Sequence, residues 1–211
     1  MKGRLLSIDV LRGLTIIFMI IVNQPGSWDH VYAPLLHAKW NGLTPTDYIF
    51  PMFLFIVGVS IVLSMSKRLN SVDKSSLIKK ILWRALKIYL VGLFLWIWPA
   101  FDLGNIRWTG VLQRISVVFL FCGLIYLFFK QKQQVYIAAT ILILYWIIMV
   151  FTPVPGIGVP DLSIPESNWA HYIDSLYLPG VMWQGTWDPE GILSTFPSIV
   201  TGIFGLIAGG I

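Results

Sequence analysis

Residues 48–65 read YIFPMFLFIVGVSIVLSM, a run without a single charged side chain. A helix of about 20 apolar residues spans the hydrocarbon core of a bilayer. Apolar runs of similar length recur along the chain, separated by shorter polar segments. The sequence therefore predicts an all-α, polytopic helical membrane protein with about six spans. The predicted spans are 5–23, 48–65, 81–100, 109–129, 135–151 and 191–211.

The composition excludes an ordinary soluble domain and a disordered chain. Only 12% of the 211 residues are charged and 56% are apolar, whereas a soluble domain carries about 25% charged residues. The one cysteine, Cys122, lies in an apolar run. A lone cysteine forms neither an intrachain disulfide nor a multi-cysteine metal site, so we expect it to pack in the core. The spacing of the histidines also predicts no metal site.

The distribution of lysine and arginine predicts the orientation in the membrane. Twelve of the 15 lysines and arginines lie in the first 12 residues, in the 66–80 loop and its flank up to Lys87, or in the short turn after the fourth predicted span. Only Lys39 and Arg107 lie in the opposite loops. The positive-inside rule therefore places the N-terminus in the cytoplasm and loops 24–47, 102–108 and 153–190 outside. We attribute the net charge of +5 to this asymmetry, and no nucleic-acid partner is expected.

The chain is expected to form a single transmembrane domain over 1–211. No A-x-A cleavage site follows the first apolar run, so we expect that run to be retained and not removed as a signal peptide. The last predicted span ends at Gly209, Gly210 and Ile211 without a polar anchor. We therefore expect the chain to be the N-terminal part of a longer protein.

Ionisable side chains within spans are costly and are therefore functional candidates. Asp9 and Arg12 share a helical face and can form an ion pair; alternatively, Arg12 binds an anionic ligand from the cytoplasm. Gln113 and Arg114 lie about one turn inside the fourth predicted span. Arg114 either recognises a carboxylate or phosphate or extends to the outer interface. A pair with an acid at a span end, such as Asp47, is compatible with both interpretations.

The first outer loop is rich in groups suited to chemistry. It contains His30 and His37, and Asp47 follows just before the second span. Histidine is suited to proton transfer near neutral pH, and a nearby carboxylate can orient its ring. Both residues also have ordinary explanations. A loop histidine is commonly just solvated, and an aspartate is favoured at a helix N-terminus.

Tryptophan is concentrated in the predicted outer loops. An aromatic belt at the membrane interface explains such residues, and so does stacking against sugar rings. Trp40 and Asn41 lie close to His37, and Asp188 and Glu190 lie at the mouth of the last span. The two acids either cap that helix or line a polar cleft.

Several blocks resemble the transmembrane acetyltransferase family of heparan-alpha-glucosaminide N-acetyltransferase. They are SIDVLRG at 7–13, HAKWNGLTPTD at 37–47, FPMFLFIVG at 50–58, GVLQRI at 110–115 and DPEGILST at 188–195. The blocks follow the family's order and span nearly the whole chain. Those at 37–58 are specific, whereas Asp-x-x-Arg-Gly is shared with other membrane acyltransferases.

The resemblance implies an enzyme that moves acetyl from cytoplasmic acetyl-CoA to an amino sugar or glycan on the outer face. His37 falls on the family's reactive loop histidine, as base or acetyl carrier, and Asn23 falls on its asparagine at the end of the first span. Asn23 could donate a hydrogen bond to the developing oxyanion. The family further implies ten or more spans, a possible homodimer and, for a bacterial relative, the inner membrane.

The predicted catalytic residues are His37, Asn23 and Asp47. The predicted coenzyme-binding residues are Arg12, Gln113 and Arg114, and the predicted acceptor-binding residues are Trp40, Asn41, Asp188 and Glu190. The donor is acetyl-CoA, no metal is expected, and the expected partners are membrane lipids and the acceptor.

Two other functions are compatible with the same residues. A transporter or flippase of a sugar or lipid-linked sugar would also place arginines, acids and tryptophans along a polar path. A non-catalytic membrane scaffold would leave the loop histidines idle. A His37→Ala variant that folds normally separates the three, because only the enzyme requires that side chain for acetyl transfer.

Overall fold

A computed structural model describes residues 6–69 and 71–210, and its architecture is helical. Within these residues the only extended pairings are two isolated bridges, Arg107 with Gly180 and Val154 with Gly158. This confirms the all-α prediction. The seven α-helices are α1 Leu6–Asn23, α2 Ile49–Met65, α3 Lys74–Ile97, α4 Val111–Phe128, α5 Gln131–Phe151, α6 Trp169–Tyr177 and α7 Ile192–Gly209.

Among the described residues, five helical segments are long and apolar enough to cross a membrane. They are α1, α4, α5, α7 and the segment Pro45–Met65, which joins a short 3-10 turn to α2. The chain is therefore a multi-pass membrane protein, as predicted. The predicted ends at residues 5 and 211 lie outside the described residues.

The span predicted at 81–100 corresponds to α3, and here the prediction differs from the structure. α3 begins earlier, at Lys74, where the Asp73 carboxylate accepts a hydrogen bond from the Ser75 amide at 3.0 Å. Its first 14 residues carry Lys74, Lys79, Lys80, Arg84 and Lys87. Because of these charges, α3 lacks the apolar composition of the five candidate spans.

Contacts between loops show which helix ends share a face. The Trp40 indole N–H donates to the Leu162 carbonyl at 2.8 Å, and Arg107 pairs with Asp188. We call segments 24–48, 98–110 and 152–191 the long-loop face, and the opposite helix ends with connections 66–73 and 129–130 the basic face. The long-loop face corresponds to the predicted outer side, and the assignment of the basic face to the cytoplasm stays a prediction.

α7 lies at the centre, in contact with α2, α4, α5 and α6. Its approach to α2 depends on glycine. A Cβ atom at Gly58 would overlap the Gly202 carbonyl, and one at Gly205 would overlap the Phe55 carbonyl. In lipid, where helices gain little from hydrophobic burial, such close van der Waals packing holds them together.

Side chains of α4 complete the core. Cys122 is fully buried, with its Sγ 3.6 Å from the Ile199 carbonyl, which confirms its predicted packing role. The Ser116 hydroxyl donates to the Ala85 carbonyl at 2.6 Å and ties α4 to α3. A buried hydroxyl in this position satisfies its donor without requiring a charge.

α1 lies at the edge of the bundle and packs on α2. Arg12 is 3.4 Å from the Asp9 carboxylate, which confirms the predicted ion pair. Arg12 also donates to the Ser60 hydroxyl at 2.9 Å and so links α1 to α2. Most apolar side chains of α1 are exposed, as a helix that faces lipid requires.

We predict that Gly58→Ala destabilises the protein whereas Gly13→Ala does not. The new methyl group at 58 meets the α7 backbone, and overpacking of this kind costs about 1–3 kcal/mol or more. No atom lies within 4 Å of a Cβ at Gly13, and alanine there gains up to about 1 kcal/mol of helix propensity. Thermal unfolding in detergent measures both variants, and equal melting temperatures would contradict the proposed α2–α7 contact.

Candidate active site

His37 and Asp47 form a hydrogen-bonded pair on the long-loop face. The Nδ1 atom of His37 lies 2.7 Å from Oδ1 of Asp47. The histidine side chain is 64% exposed and the aspartate side chain 20% exposed. A dissolved molecule can therefore reach the imidazole while the carboxylate remains held by protein.

Asp47 is fixed because its second oxygen closes the turn that begins α2. Oδ2 accepts hydrogen bonds from the backbone amides of Thr44 at 2.8 Å and Ala38 at 3.3 Å. The Thr44 hydroxyl lies 2.9 Å from the same oxygen. Together, Thr44 and Asp47 form a capping box around the 3-10 turn Pro45–Tyr48. The predicted helix-end role of Asp47 is thus confirmed, and the same carboxylate also holds His37.

Threonine side chains tie the histidine loop to this turn. The Thr44 hydroxyl lies 2.7 Å from the Leu36 carbonyl, next to His37. The buried Thr46 hydroxyl lies 3.2 Å from the Pro34 carbonyl. The backbone of the histidine loop is therefore fixed to the 3-10 turn that precedes α2.

The geometry is that of an oriented base or nucleophile. When the neutral imidazole donates its Nδ1 proton to Asp47, Nε2 is left with a free lone pair. That nitrogen can accept a proton from an attacking group or attack an acyl carbon itself. The carboxylate then stabilises the positive charge that develops on the ring.

Asn23 is not joined to this pair. Its side-chain amide donates to the Met19 carbonyl at 2.9 Å, one turn back in α1. Among the described residues, no hydrogen bond links Asn23 to His37 or Asp47. Its predicted catalytic role stays a prediction.

Trp40 and Asn41 connect two loops. The Trp40 indole and the Asn41 amide both donate to the Leu162 carbonyl, at 2.8 Å and 3.1 Å. The Trp40 ring also meets the Trp187 ring edge-on, with centroids 4.9 Å apart. These contacts give both residues a structural role, and their predicted contact with an acceptor is untested.

A buried charge cluster holds the long-loop face together. Arg107 donates to Asp188 through two nitrogens, at 2.7 Å and 2.6 Å, and also to Glu190. The Thr109 hydroxyl adds a third donor to Asp188 at 2.8 Å. Asp188 and Glu190 are thus occupied by Arg107 and lie at the predicted mouth of the last span. Their predicted role in acceptor binding is not supported by these contacts.

The ionisation of this cluster follows from its pairing. Burial alone would lower the pKa of Arg107, but the hydrogen bonds and charges of Asp188 and Glu190 outweigh burial and raise it. Burial likewise would raise the pKa of Asp188, but Arg107 and Thr109 lower it. Both shifts favour the charged forms of Arg107 and Asp188. Sequence analysis gave Arg107 no role, although it is one of two cations in otherwise acidic loops.

The predicted coenzyme-binding residues are not brought together. Gln113 is buried at the crossing of α3 and α4, where a Cβ at Gly92 would lie 2.6 Å from its Oε1. Arg114 is buried beside the start of α7 and donates to the Ser194 hydroxyl and the Gly191 carbonyl. The suggested pair of Arg114 with Asp47 is therefore wrong, because Asp47 is used by His37 and the turn before α2.

Arg12 lines a separate cavity of about 400 Å³ between α1, α2, α3 and α4, which we call the four-helix cavity. Its polar residues are Arg12, Ser60, Ser64 and Arg84. The Arg84 guanidinium lies 4.9 Å from the centre of the Phe119 ring, which also lines the cavity. Two cations thus face a space that lies toward the basic face.

Asp174 of α6 is a buried acid that the sequence analysis did not select. Its Oδ1 accepts the backbone N–H of Ile192, the first residue of α7, at 2.8 Å. Burial raises the pKa of Asp174 to about 6, the Ile192 N–H lowers it, the charge of Asp188 raises it and that of Arg114 lowers it. No sequence signal marks it, because its partner lies in a distant helix.

Metal ligands are not clustered in the part of the chain that the structure describes: no group of three or more histidine, cysteine or acidic residues could hold an ion there.

Comparison with known proteins identifies similar chains. The model of the family "Heparan-alpha-glucosaminide N-acetyltransferase, catalytic" matches residues 4–187. Heparan-alpha-glucosaminide N-acetyltransferase of Homo sapiens is 33% identical over 98% of this chain and 38% of its own length. The Mus musculus protein of that name is 31% identical, over 98% and 39%. The chain thus spans well under half the length of these relatives.

We predict that Arg107→Met lowers stability strongly, because it leaves two carboxylates buried without their cation. Breaking a buried ion pair costs about 3–5 kcal/mol. The matched control is Lys39→Met, which removes the other, exposed cation of these loops. Thermal unfolding and protease cleavage within 152–191 report the effect. An Arg107→Met variant as stable as the control would contradict the role of the cluster.

Asp174 makes stability fall with rising pH. Its pKa is about 6 in the folded protein and about 3.9 when unfolded. Between these values the folded state keeps a proton that the unfolded state has lost, so ionisation disfavours folding as pH rises. We predict that Asp174→Asn makes the melting temperature less dependent on pH in this range. The control Asp161→Asn, at an exposed position, should leave the pH dependence unchanged. A wild-type profile already flat in this window would contradict the assignment.

Proposed function

The chain belongs to the heparan-alpha-glucosaminide N-acetyltransferase family, and from this premise we propose that it transfers acetyl from acetyl-CoA to an amino sugar or glycan at the long-loop face. The observation that carries the proposal is the 2.7 Å contact between His37 and Asp47, with the imidazole exposed. It supplies an oriented nitrogen where an acceptor can approach.

His37 acts in one of two ways. In direct transfer, the acceptor amine attacks the thioester carbon, Nε2 removes the amine proton, and the coenzyme leaves as its thiolate. In transfer through the enzyme, Nε2 attacks the thioester first and carries the acetyl group to the amine. Asp47 stabilises the charged imidazole in both routes. One N–H of the Asn23 amide donates to the Met19 carbonyl, and its second N–H is the group that would donate to the oxyanion.

We propose that the donor enters through the four-helix cavity from the basic face. Arg12 and Arg84 line that cavity, and guanidinium groups suit the phosphates of a coenzyme. Further lysines and arginines between residues 66 and 87 add positive charge to the protein on either side of the Arg84 position in the sequence; these are Lys67, Arg68, Lys74, Lys79, Lys80 and Lys87. The thioester must then reach the long-loop face, which requires a passage between the helices.

We propose that the basic face lies in the cytoplasm. With the basic face in the cytoplasm, the donor is taken from the cytoplasmic pool and the acceptor lies on the other side. We propose the inner membrane of a bacterium as the location. A homodimer, which the family resemblance implies, stays a prediction.

The direct test is acetyl transfer in proteoliposomes. Isotope-labelled acetyl-CoA is supplied at the basic face, and a panel of amino sugars at the long-loop face. We expect His37→Ala to abolish labelling of the sugar. We expect Asp47→Asn to lower kcat by about a hundredfold to ten-thousandfold, because the ring loses its charged partner.

The matched control is His30→Ala, which removes an exposed histidine from the same loop and should leave transfer unchanged. Label retained on the wild-type protein without a sugar would indicate an acetyl-histidine intermediate. Transfer that survives His37→Ala in folded protein would overturn the role of His37. Sugar movement without any acetyl transfer would favour a transporter.

A further inference from the structure

A second cavity, of about 470 Å³, lies between the ends of α4 and α7 at the long-loop face; we call it the α4–α7 cavity. It is distinct from the four-helix cavity because the two use different faces of α4. Leu112, Ile115 and Phe119 line the four-helix cavity, whereas Arg114, Val117 and Phe121 line this one. Nothing in the proposed reaction uses the α4–α7 cavity.

Arg114 brings a permanent charge to this cavity. The residue is only 8% exposed, and a guanidinium stays protonated in proteins. Its two hydrogen bonds to described residues both leave from Nη2, and they go to uncharged groups, the Gly191 carbonyl and the Ser194 hydroxyl. Its Nε is buried without a partner among the described residues. A buried charge of this kind normally has a counter-ion.

The nearby acids do not provide that counter-ion directly. Asp188 and Glu190 are bound to Arg107, and Asp174 is bound to the first N–H of α7. All three lie within Coulombic range of Arg114, but among the described residues no carboxylate approaches it within 4.0 Å. Among the described residues, Arg114 therefore has no carboxylate in direct contact.

The position of Arg114 matches the depth of a lipid head group. α4 has 18 residues, which correspond to a length of about 27 Å, close to the hydrocarbon thickness of a bilayer. Arg114 is three residues from the start of α4 and therefore about 4.5 Å inside that end. Gly191 also lines the cavity, but the next N–H, that of Ile192, is already bound by Asp174, so Arg114 is the group available to an anion.

The polar lining also includes Thr109, Thr195 and Glu190, and the Glu190 carboxylate is bound by Arg107. The deeper walls suit hydrocarbon. Val117, Phe121, Phe196 and Ile199 continue the cavity deeper along α4 and α7. Phe121 is 46% exposed and Phe196 48% exposed, so the cavity is flanked by apolar side chains that face the membrane. A ligand with an anionic head and an apolar chain fits this division.

We propose that the α4–α7 cavity binds one membrane phospholipid, with its phosphate against Arg114 and an acyl chain along Phe121 and Phe196. The phosphate supplies the direct ionic contact that Arg114 lacks. The chain fills apolar space that water would occupy at a cost. This inference does not depend on acetyl transfer.

The test is native mass spectrometry of the whole protein extracted from vesicles of phosphatidylcholine and phosphatidylglycerol. We expect one tightly retained phospholipid, and we expect Arg114→Gln to lower its retention by about tenfold or more. The matched control is Arg68→Gln, which removes an exposed arginine of the basic face. A second variant, Ile199→Trp, fills the apolar part of the cavity and leaves Arg114 in place.

The outcomes are distinct. Loss of the lipid in Arg114→Gln and Ile199→Trp, with retention in Arg68→Gln, supports the site. Equal retention in all variants overturns it. If Arg114→Gln does not fold, Ile199→Trp alone decides. Binding of inorganic phosphate by the delipidated protein, with no lipid retained by the native one, overturns the lipid assignment in favour of a free oxyanion.

Discussion

The carboxylate of Asp47 is the group on which the candidate site depends. One oxygen closes the 3-10 turn that leads into α2, and the other contacts the His37 ring. A catalytic side chain on a loop gains precision when its partner belongs to a rigid element. Asp47 provides this link, because α2 is locked against α7 through Gly58, Gly202 and Gly205. The position of the imidazole is therefore determined by packing inside the membrane bundle.

A second constraint is the cost of charge in a low-dielectric environment. The long-loop face meets it by joining Arg107 to Asp188 and Glu190, which links the loop before α4 to the start of α7. Trp187, next to Asp188, meets Trp40, and Trp40 follows His37 in the same loop. A set of contacts thus extends from a buried ion cluster to the loop that carries the histidine. Arg114 differs, since its hydrogen bonds are to neutral groups.

Much of this architecture could be predicted from local sequence. The apolar runs gave five of the spans, and the Thr-Pro-Thr-Asp sequence indicated the turn that Asp47 closes. The start of α3 was missed because its charged first turns interrupt the apolar pattern, although they are helical. The partners of Arg107, Arg114 and Asp174 could not be predicted, because each lies in a distant segment. Only the packing of α7 against its neighbours brings those segments together.

Nitrogen-15 NMR of labelled histidine measures whether Asp47 holds His37 with its reactive nitrogen free. The signal of His37 is assigned by its loss in His37→Gln, and the exposed His30 of the same loop serves as an internal reference. We expect neutral His37 to carry its proton on Nδ1, the nitrogen that contacts Asp47, and to leave Nε2 unprotonated. A neutral His37 protonated on Nε2 would contradict it, because that nitrogen could then neither remove a proton nor accept an acetyl group.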